Sequence, residues 1–358
     1  MSIQKKPNGG VARASDGFFR LALVGGGTLK GKEVADVLNE RKFPSVDLKL
    51  LGDDDESLGQ LEAVGDEITF VQSVGKDQFE NLDFALFASD PATTLKTWAA
   101  ARDAGVSILD LSYALEDEPG TRVRSPWVEK QLGQDLQLEL QPGPAVVVAH
   151  PAAVVLALLV LRGQQAGTLR SAVATVFEPV SERGRKGIDE LQEQSVNLLS
   201  FQELPREVFD AQVGFNLLRR YGGKSATSLE NIETRIAKHY RRIAGENAPA
   251  LSLALLQAPV FHGHSLLLFL ETEEPVALGD MAQALQGEHV TITRTAEEPP
   301  TTVAAAGQDD ILVSVARDAG NPKGVWIWAA ADNLRVSART AVELAESIAA
   351  SRPKGPVQ

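Results

Sequence analysis

The chain has 358 residues, with 35 Lys+Arg against 48 Asp+Glu, 44% hydrophobic residues and no cysteine. That length asks for two domains, since single cores stop growing near about 250–300 residues. The net charge of −13 repels phosphate backbones and excludes nucleic acid as an expected partner; the missing cysteines exclude disulfides, thiolate metal sites, iron–sulfur clusters and any reaction through a protein thiol.

Residues 1–18 carry Lys5 and Lys6 but no apolar stretch or cleavage site behind them. They are expected to form a disordered tail on a cytoplasmic protein. The longest apolar stretch, 145–161, is interrupted by His150 and Pro151 and falls short of the roughly 20 residues that a membrane span needs.

The first predicted strand, 19–24, is apolar without polar alternation, as a strand buried on both faces would be. It ends in Gly25-Gly26-Gly27-Thr28-Leu29-Lys30-Gly31, and 32–41 follows with Val34 and Leu38 at helical spacing. Further strands are predicted at 46–51, 68–72, 84–88 and 106–111. Ser89-Asp90-Pro91 starts a helix over 92–104, which Gly105 closes. Strands and helices alternating in this way predict a Rossmann-type, doubly wound parallel sheet over 19–145. A further buried strand at 145–149 and a helix over 152–161 lead into the second half. There, β-rich runs at 172–178, 266–271, 290–294, 311–316 and 325–331, with helical patterns at 186–199 and 229–243, predict an α+β domain over 146–334. An Ala-rich amphipathic helix is expected at 335–351.

A glycine turn between a buried strand and a helix lets backbone N–H groups and the positive helix end meet a pyrophosphate. The spacing Gly25-x-Gly27-x-x-x-Gly31 departs from the strict dinucleotide fingerprint, so a packing turn remains the alternative. The cluster Asp53-Asp54-Asp55-Glu56 after the second strand would accept from a ribose hydroxyl and repel a 2′-phosphate, favouring NAD over NADP. A solvated acidic loop is the competing reading.

The order of motifs resembles the aspartate-semialdehyde dehydrogenase family: Gly31-Lys32-Glu33, Arg41-x-Phe43-Pro44, Phe87-Ala88-Ser89, Ile108-Leu109-Asp110-Leu111-Ser112, Gly184-x-Lys186-Gly187-x-Asp189-Glu190-Leu191, Glu233-Thr234-Arg235, Gly263-His264-Ser265 and Asp332-Asn333-Leu334-Arg335. The likeness runs from about residue 20 to residue 348. It implies a cofactor domain, a catalytic and dimerisation domain, and a C-terminal helix returning to the first domain. In active members a cysteine thiolate attacks the aldehyde, a histidine acts as base, the adduct gives hydride to NADP, and phosphate cleaves the thioester.

By this resemblance the nucleophile position is Ala153, in His150-Pro151-Ala152-Ala153-Val154, the base is His264, and Asn333 stands near a nicotinamide carboxamide. Gly25, Gly27, Thr28, Leu29, Lys30, Gly31 and Ser89 would hold the cofactor, with Thr28 replacing a family glycine. The phosphate-binding arginine aligns with Leu115, the substrate-orienting glutamine with Glu178 and a substrate-binding arginine with Gln257. A glutamate that meets the substrate amino group aligns with Ala226, one helical turn from Glu230.

The expectation is an inactive paralogue that forms a homodimer or pairs with an active homologue, with NAD or NADP or another small molecule in the cleft. The alternative is an oxidoreductase linked to amino-acid biosynthesis that uses His264 and Glu178 without a covalent step; a third reading is a purely structural subunit. His262 would share a strand face with His264, but these two with His150 do not make an expected metal site. The runs 325–328 and 201–221 are expected at a two-fold interface or in the core.

Overall fold

A computed structural model describes residues 18–52, 59, 61–64, 67–134, 145–293 and 299–351. The N-terminal tail expected over 1–18, apart from Phe18, and the acidic cluster 53–56 lie outside the described residues.

The first unit runs β1 (Phe19–Val24), α1 (Leu29–Glu40), β2 (Ser45–Gly52), a hairpin of β3 (Leu61–Val64) and β4 (Glu67–Phe70), β5 (Gln72–Ser73), β6 (Phe84–Phe87), α2 (Pro91–Asp103), β7 (Ser107–Asp110), β8 (Arg122–Arg124), α3 (Pro126–Gln131) and β9 (Val146–Val148). Its main sheet is parallel throughout in the order β5-β2-β1-β6-β7-β9-β8. Leu21, Leu23, Phe84 and Leu86 are buried on one face, Ala22, Val24, Ala85 and Phe87 on the other, which is why β1 and β6 read as unbroken apolar runs. The order reverses between β1 and β6, and at their carboxyl ends a doubly wound sheet opens its ligand crevice.

Two expectations need correcting here. The run 68–72 is not one strand: its first part pairs antiparallel in the β3–β4 hairpin, while β5 alone joins the main sheet. The boundary drawn after residue 145 falls too early, because β9 pairs with both β7 and β8 inside the first sheet.

The second unit runs α4 (Pro151–Ala166), β10 (Leu169–Glu178), α5 (Gly184–Leu199), α6 (Leu229–Ala244), β11 (Leu251–Gln257), β12 (His264–Thr272), α7 (Leu278–Leu285), β13 (Val290–Ile292), α8 (Thr302–Ala305), β14 (Ile311–Arg317) and β15 (Gly324–Ala331). The sheet is mixed, in the order β11-β10-β12-β15-β14-β13. Strand β12 alternates strictly, with Leu266, Leu268 and Leu270 buried against the helices. Its other face carries a cross-strand row of Val173, Phe269 and Trp326, with Val173 and Trp326 exposed.

Helix α4 is apolar all round from Val154 to Val160 and entirely buried. The last helix, α9 (Asn333–Ser351), returns to the first unit: Ala338, Ala341, Val342 and Ala345 pack with Leu21, Val34 and Leu38. Ion pairs of Arg335 with Glu33 and Glu40 and of Arg41 with Glu346 fasten it to α1.

Candidate active-site cleft

The glycine turn is shaped by close packing. Gly25 takes φ +86°, and a Cβ there would lie 2.5 Å from the Ser89 amide nitrogen, while a Cβ on Gly31 would lie 2.0 Å from the Gly25 carbonyl oxygen. Thr28 caps α1: its Oγ1 accepts from the Gly31 amide at 2.9 Å and lies 2.8 Å and 3.0 Å from the carbonyl oxygens of Gly25 and Ala88. Thr28, expected at the place of a family glycine, serves here as a helix cap. Gly27 presents only backbone at this positive helix end, which suits a pyrophosphate, while Gly26 is buried against Leu50 with its amide on the Leu51 carbonyl at 3.3 Å. Ser89 shares a hydroxyl–hydroxyl hydrogen bond of 3.1 Å with Thr94 and stands at the edge of the turn.

Lys30 departs from that picture. Its Nζ donates to the Leu111 carbonyl, just past β7, at 3.1 Å and lies 4.9 Å from the Tyr113 ring centroid. Burial pushes its pKa down, against the attraction of Glu182. Tyr113 holds φ +66°, strained for a bulky residue. The turn before it is fixed by Asp110, whose carboxylate accepts from the Ser112 amide at 2.7 Å, its hydroxyl at 2.6 Å and the Leu115 amide at 2.9 Å. The Tyr113 ring stacks on His150 at 5.4 Å, meets His239 edge-on at 5.6 Å and lies 5.2 Å from the Arg235 guanidinium.

Leu115, expected at the place of a phosphate-binding arginine, is 0% exposed in the apolar core. The next residue, Glu116, reaches the cleft instead. Its carboxylate accepts from Arg235 Nε at 3.1 Å and His239 Nε2 at 3.0 Å. His239 Nδ1 in turn accepts from the His150 amide at 3.0 Å, which assigns the ring proton to Nε2. Burial pushes the Glu116 carboxyl up, but His239 and Arg235 overcome it and hold it at about 2.

Ala153 sits in the first turn of α4, fully buried, where His150 is the cap and its Nδ1 accepts from the Ala152 amide at 3.3 Å. His264 opens β12 with Nε2 3.1 Å from Glu178 Oε2, and Arg183 Nη2 donates to Glu178 Oε1 at 2.8 Å. Gln257 is spent on structure: Nε2 donates to the carbonyls of Glu178 at 2.8 Å and Ala258 at 2.9 Å, and Oε1 accepts from the Tyr221 hydroxyl at 2.6 Å. Asn333 Nδ2 donates to Glu182 Oε1 at 2.8 Å while Oδ1 accepts from the Gly263 amide at 2.9 Å and from Ser181 Oγ at 3.2 Å. Ala226 and Glu230 are exposed. His262 lies before β12, separated from His264 by Gly263 at φ +85°, so the expected shared strand face does not form.

His150, Glu178 and Glu182 bring donor atoms within 4.8 Å of one another. His150 is already the α4 cap, Glu178 is held by Arg183 and His264, and Glu182 by Asn333, so these groups form an ion-pair network and not an open coordination site. Burial raises the Glu182 carboxyl, but the positive charges of Lys30 and Arg183 beside it hold it at about 2. Burial drives His150 well below the usual histidine range, so it is neutral. The Tyr113 hydroxyl and Arg183 Nε are buried without a hydrogen-bond partner. The roles of Lys30, Tyr113, Glu116 and His239 escaped the sequence reading. One signal was available: a lysine in the first turn of a helix opposes the helix dipole and needs a compensating partner.

The model of the semialdehyde dehydrogenase dimerisation domain matches residues 158–336. A USG-1 protein homologue from Pseudomonas aeruginosa is 32% identical over 324 residues, covering 89% of this chain and 94% of that protein. An aspartate-semialdehyde dehydrogenase from Aquifex aeolicus is 28% identical over 339 residues, covering 92% and 97%. A solved structure described as a probable aspartate-semialdehyde dehydrogenase from P. aeruginosa superposes with a TM-score of 0.81 at 30% identity, covering 92% of this chain and 98% of that one. The chain therefore belongs to the aspartate-semialdehyde dehydrogenase family, as a divergent member.

Proposed function

We propose that this protein is a non-catalytic member of its family, which keeps the two-unit fold, the nucleotide-type turn and a dimer surface but has given up the reaction. The observation that carries the reading is Ala153, a buried methyl in the first turn of α4 in a chain without any cysteine. Alanine forms no covalent adduct, so acyl transfer has no route. Around it Gln257 is neutral, and the cations of the cleft are already engaged, Arg235 by Glu116, Arg183 by Glu178 and Lys30 by the Leu111 carbonyl, which leaves an anionic substrate and phosphate without a free clamp among them.

The test is direct turnover. Aspartate semialdehyde, NADP and phosphate are expected to give no reduced cofactor above a buffer blank. Ala153→Cys is expected to stay silent as well, because His264 remains bound to Glu178 and no anion clamp is free. Turnover by the wild-type chain would overturn the proposal. The buried His264–Glu178 pair at 3.1 Å favours one second reading, non-covalent oxidoreduction with His264 as the acid/base group. Cofactor oxidation with a panel of aldehydes and ketones, abolished in His264→Ala, would establish it instead.

Dimerisation, with a second copy or with an active homologue, is supported by two open apolar surfaces. One is the Val173–Phe269–Trp326 row; the other is α5 with the segment after it, which exposes Val196, Leu199, Phe201, Phe215 and Leu217, Phe201 at 97%. Core aromatics are not left in water over such an area without a partner. Light scattering of the purified chain is expected to read twice its 38.3 kDa. Val173→Glu with Trp326→Glu is expected to return a monomer; a wild-type monomer at micromolar concentration, with no homologue bound, would refute the homodimer.

A further inference from the structure

Resting on the nucleotide reading of the turn, we propose that Lys30 occupies one half of the dinucleotide crevice, so that the site accepts a nucleoside diphosphate and refuses the nicotinamide half of NAD or NADP. A dinucleotide in a doubly wound sheet lies across the point where the strand order reverses, with its pyrophosphate at the helix end and one nucleoside on each side. Here the reversal lies between β1 and β6, and α1 supplies the helix end. The second nucleoside must therefore pass over β6 and β7.

That passage is closed by the chain itself. Leu111 and Tyr113 form the exit of β7, and Lys30 lies against both, 3.1 Å from the carbonyl oxygen and 4.9 Å from the ring centroid. Behind the ring stand His150 at 5.4 Å and His239 at 5.6 Å. Deeper in the cleft, Asn333 spends its amide nitrogen on Glu182 at 2.8 Å and its oxygen on Gly263 at 2.9 Å. An incoming carboxamide would have to expel a buried ammonium and would find that side-chain amide engaged. Lys30 does not cap the anion end of the turn: its head lies beyond, at Leu111, while Gly26 and Gly27 carry no side chain. The pyrophosphate position and the blocked nucleoside position are thus separated within seven residues of sequence. Lys30 is a specificity-determining residue.

The test uses full-length protein, with ADP, NAD and NADP titrated by calorimetry into wild type, Lys30→Ala and Lys30→Met. Wild type is expected to bind ADP and NAD within about twofold of one another, because the nicotinamide half adds nothing. Lys30→Ala should tighten dinucleotide binding by about tenfold or more and leave ADP unchanged. Lys30→Met, which keeps the chain length, should behave as wild type and so separate bulk from charge. NAD binding to wild type about tenfold more tightly than ADP would overturn the proposal, whether or not Lys30→Ala folds. ADP binding with no dinucleotide gain in folded Lys30→Ala would overturn it and leave the nucleotide reading standing. No nucleotide bound by any of the three proteins would overturn both.

Discussion

Glu178→Ala is expected to lower the unfolding free energy by about 3–5 kcal/mol, the cost of stranding one partner of a buried ion pair. Glu178 is 0% exposed, and its two carboxylate oxygens serve Arg183 at 2.8 Å and His264 at 3.1 Å. Arg183 already has a buried Nε without a partner, so losing Glu178 leaves its guanidinium short at a second nitrogen. The Coulombic gain of the native pair is largely spent against desolvation, which is why the pair itself adds little while its breakage costs much. Glu178→Gln keeps the shape and one acceptor, and is expected to cost about 1–3 kcal/mol. Urea unfolding of the three proteins measures both numbers. A loss below about 1 kcal/mol for Glu178→Ala would mean that water or Glu182 takes over Arg183, and that the cleft is wetter than its burial implies.

Much of this molecule was legible because its signals are local. The strands β1 and β6 are apolar on both faces and read directly as buried strands, whereas β12 is equally unbroken from Leu266 to Leu270 and alternates only in burial, so its one covered face comes from the fold and not from periodicity. Strand β8, Arg122-Val123-Arg124, carries no such signal: one buried valine between two arginines is set in the sheet by its partner β9. The strand β11, Leu251–Gln257, went unread because LSLALLQ suits helix or strand equally, and its pairing with β10 decides. In the cleft, the motif spacing brought the reading to Leu115, one residue short of Glu116, and only burial distinguishes the two. Lys30 shows the deeper limit. Its position in the turn suggests a phosphate ligand, whereas the direction of its side chain depends on Leu111 and Tyr113, some eighty residues away. That partner set is tertiary, and no window around the turn contains it.

Stability is expected to be flat above about pH 7 and to fall steeply on acidification, through two successive sets of groups. Burial holds His150 well below, and His239 below, the ordinary histidine value of about 6.5, and holds His289, stacked on Trp127 at 3.9 Å, down at about 4. Each is neutral in the fold and takes up a proton when the chain unfolds below 6.5. The unfolded state then binds more protons, so stability drops as pH falls, by up to about 1.4 kcal/mol per pH unit for each histidine. The second set is Glu116 and Glu182, both held at about 2 against an ordinary glutamate value of about 4.5. Their contribution is complete above 4.5 and is lost as pH falls from there through 2, the same direction as the histidines. Urea midpoints at pH 7.5, 6.0 and 5.0 leave these two carboxylates ionised in both states over most of that range and read the histidines against Glu33, Asp110 and Glu343, whose carboxyls burial raises and which act in the opposite direction. His289→Phe keeps a ring on Trp127 and is expected to remove about a third of the histidine slope if the three histidines contribute equally. An unchanged midpoint from pH 7.5 to 6.0 would mean that His150 and His239 are protonated in the fold. That would place positive charge beside Lys30 and Arg235, around a tyrosine ring that the structure surrounds with neutral imidazoles.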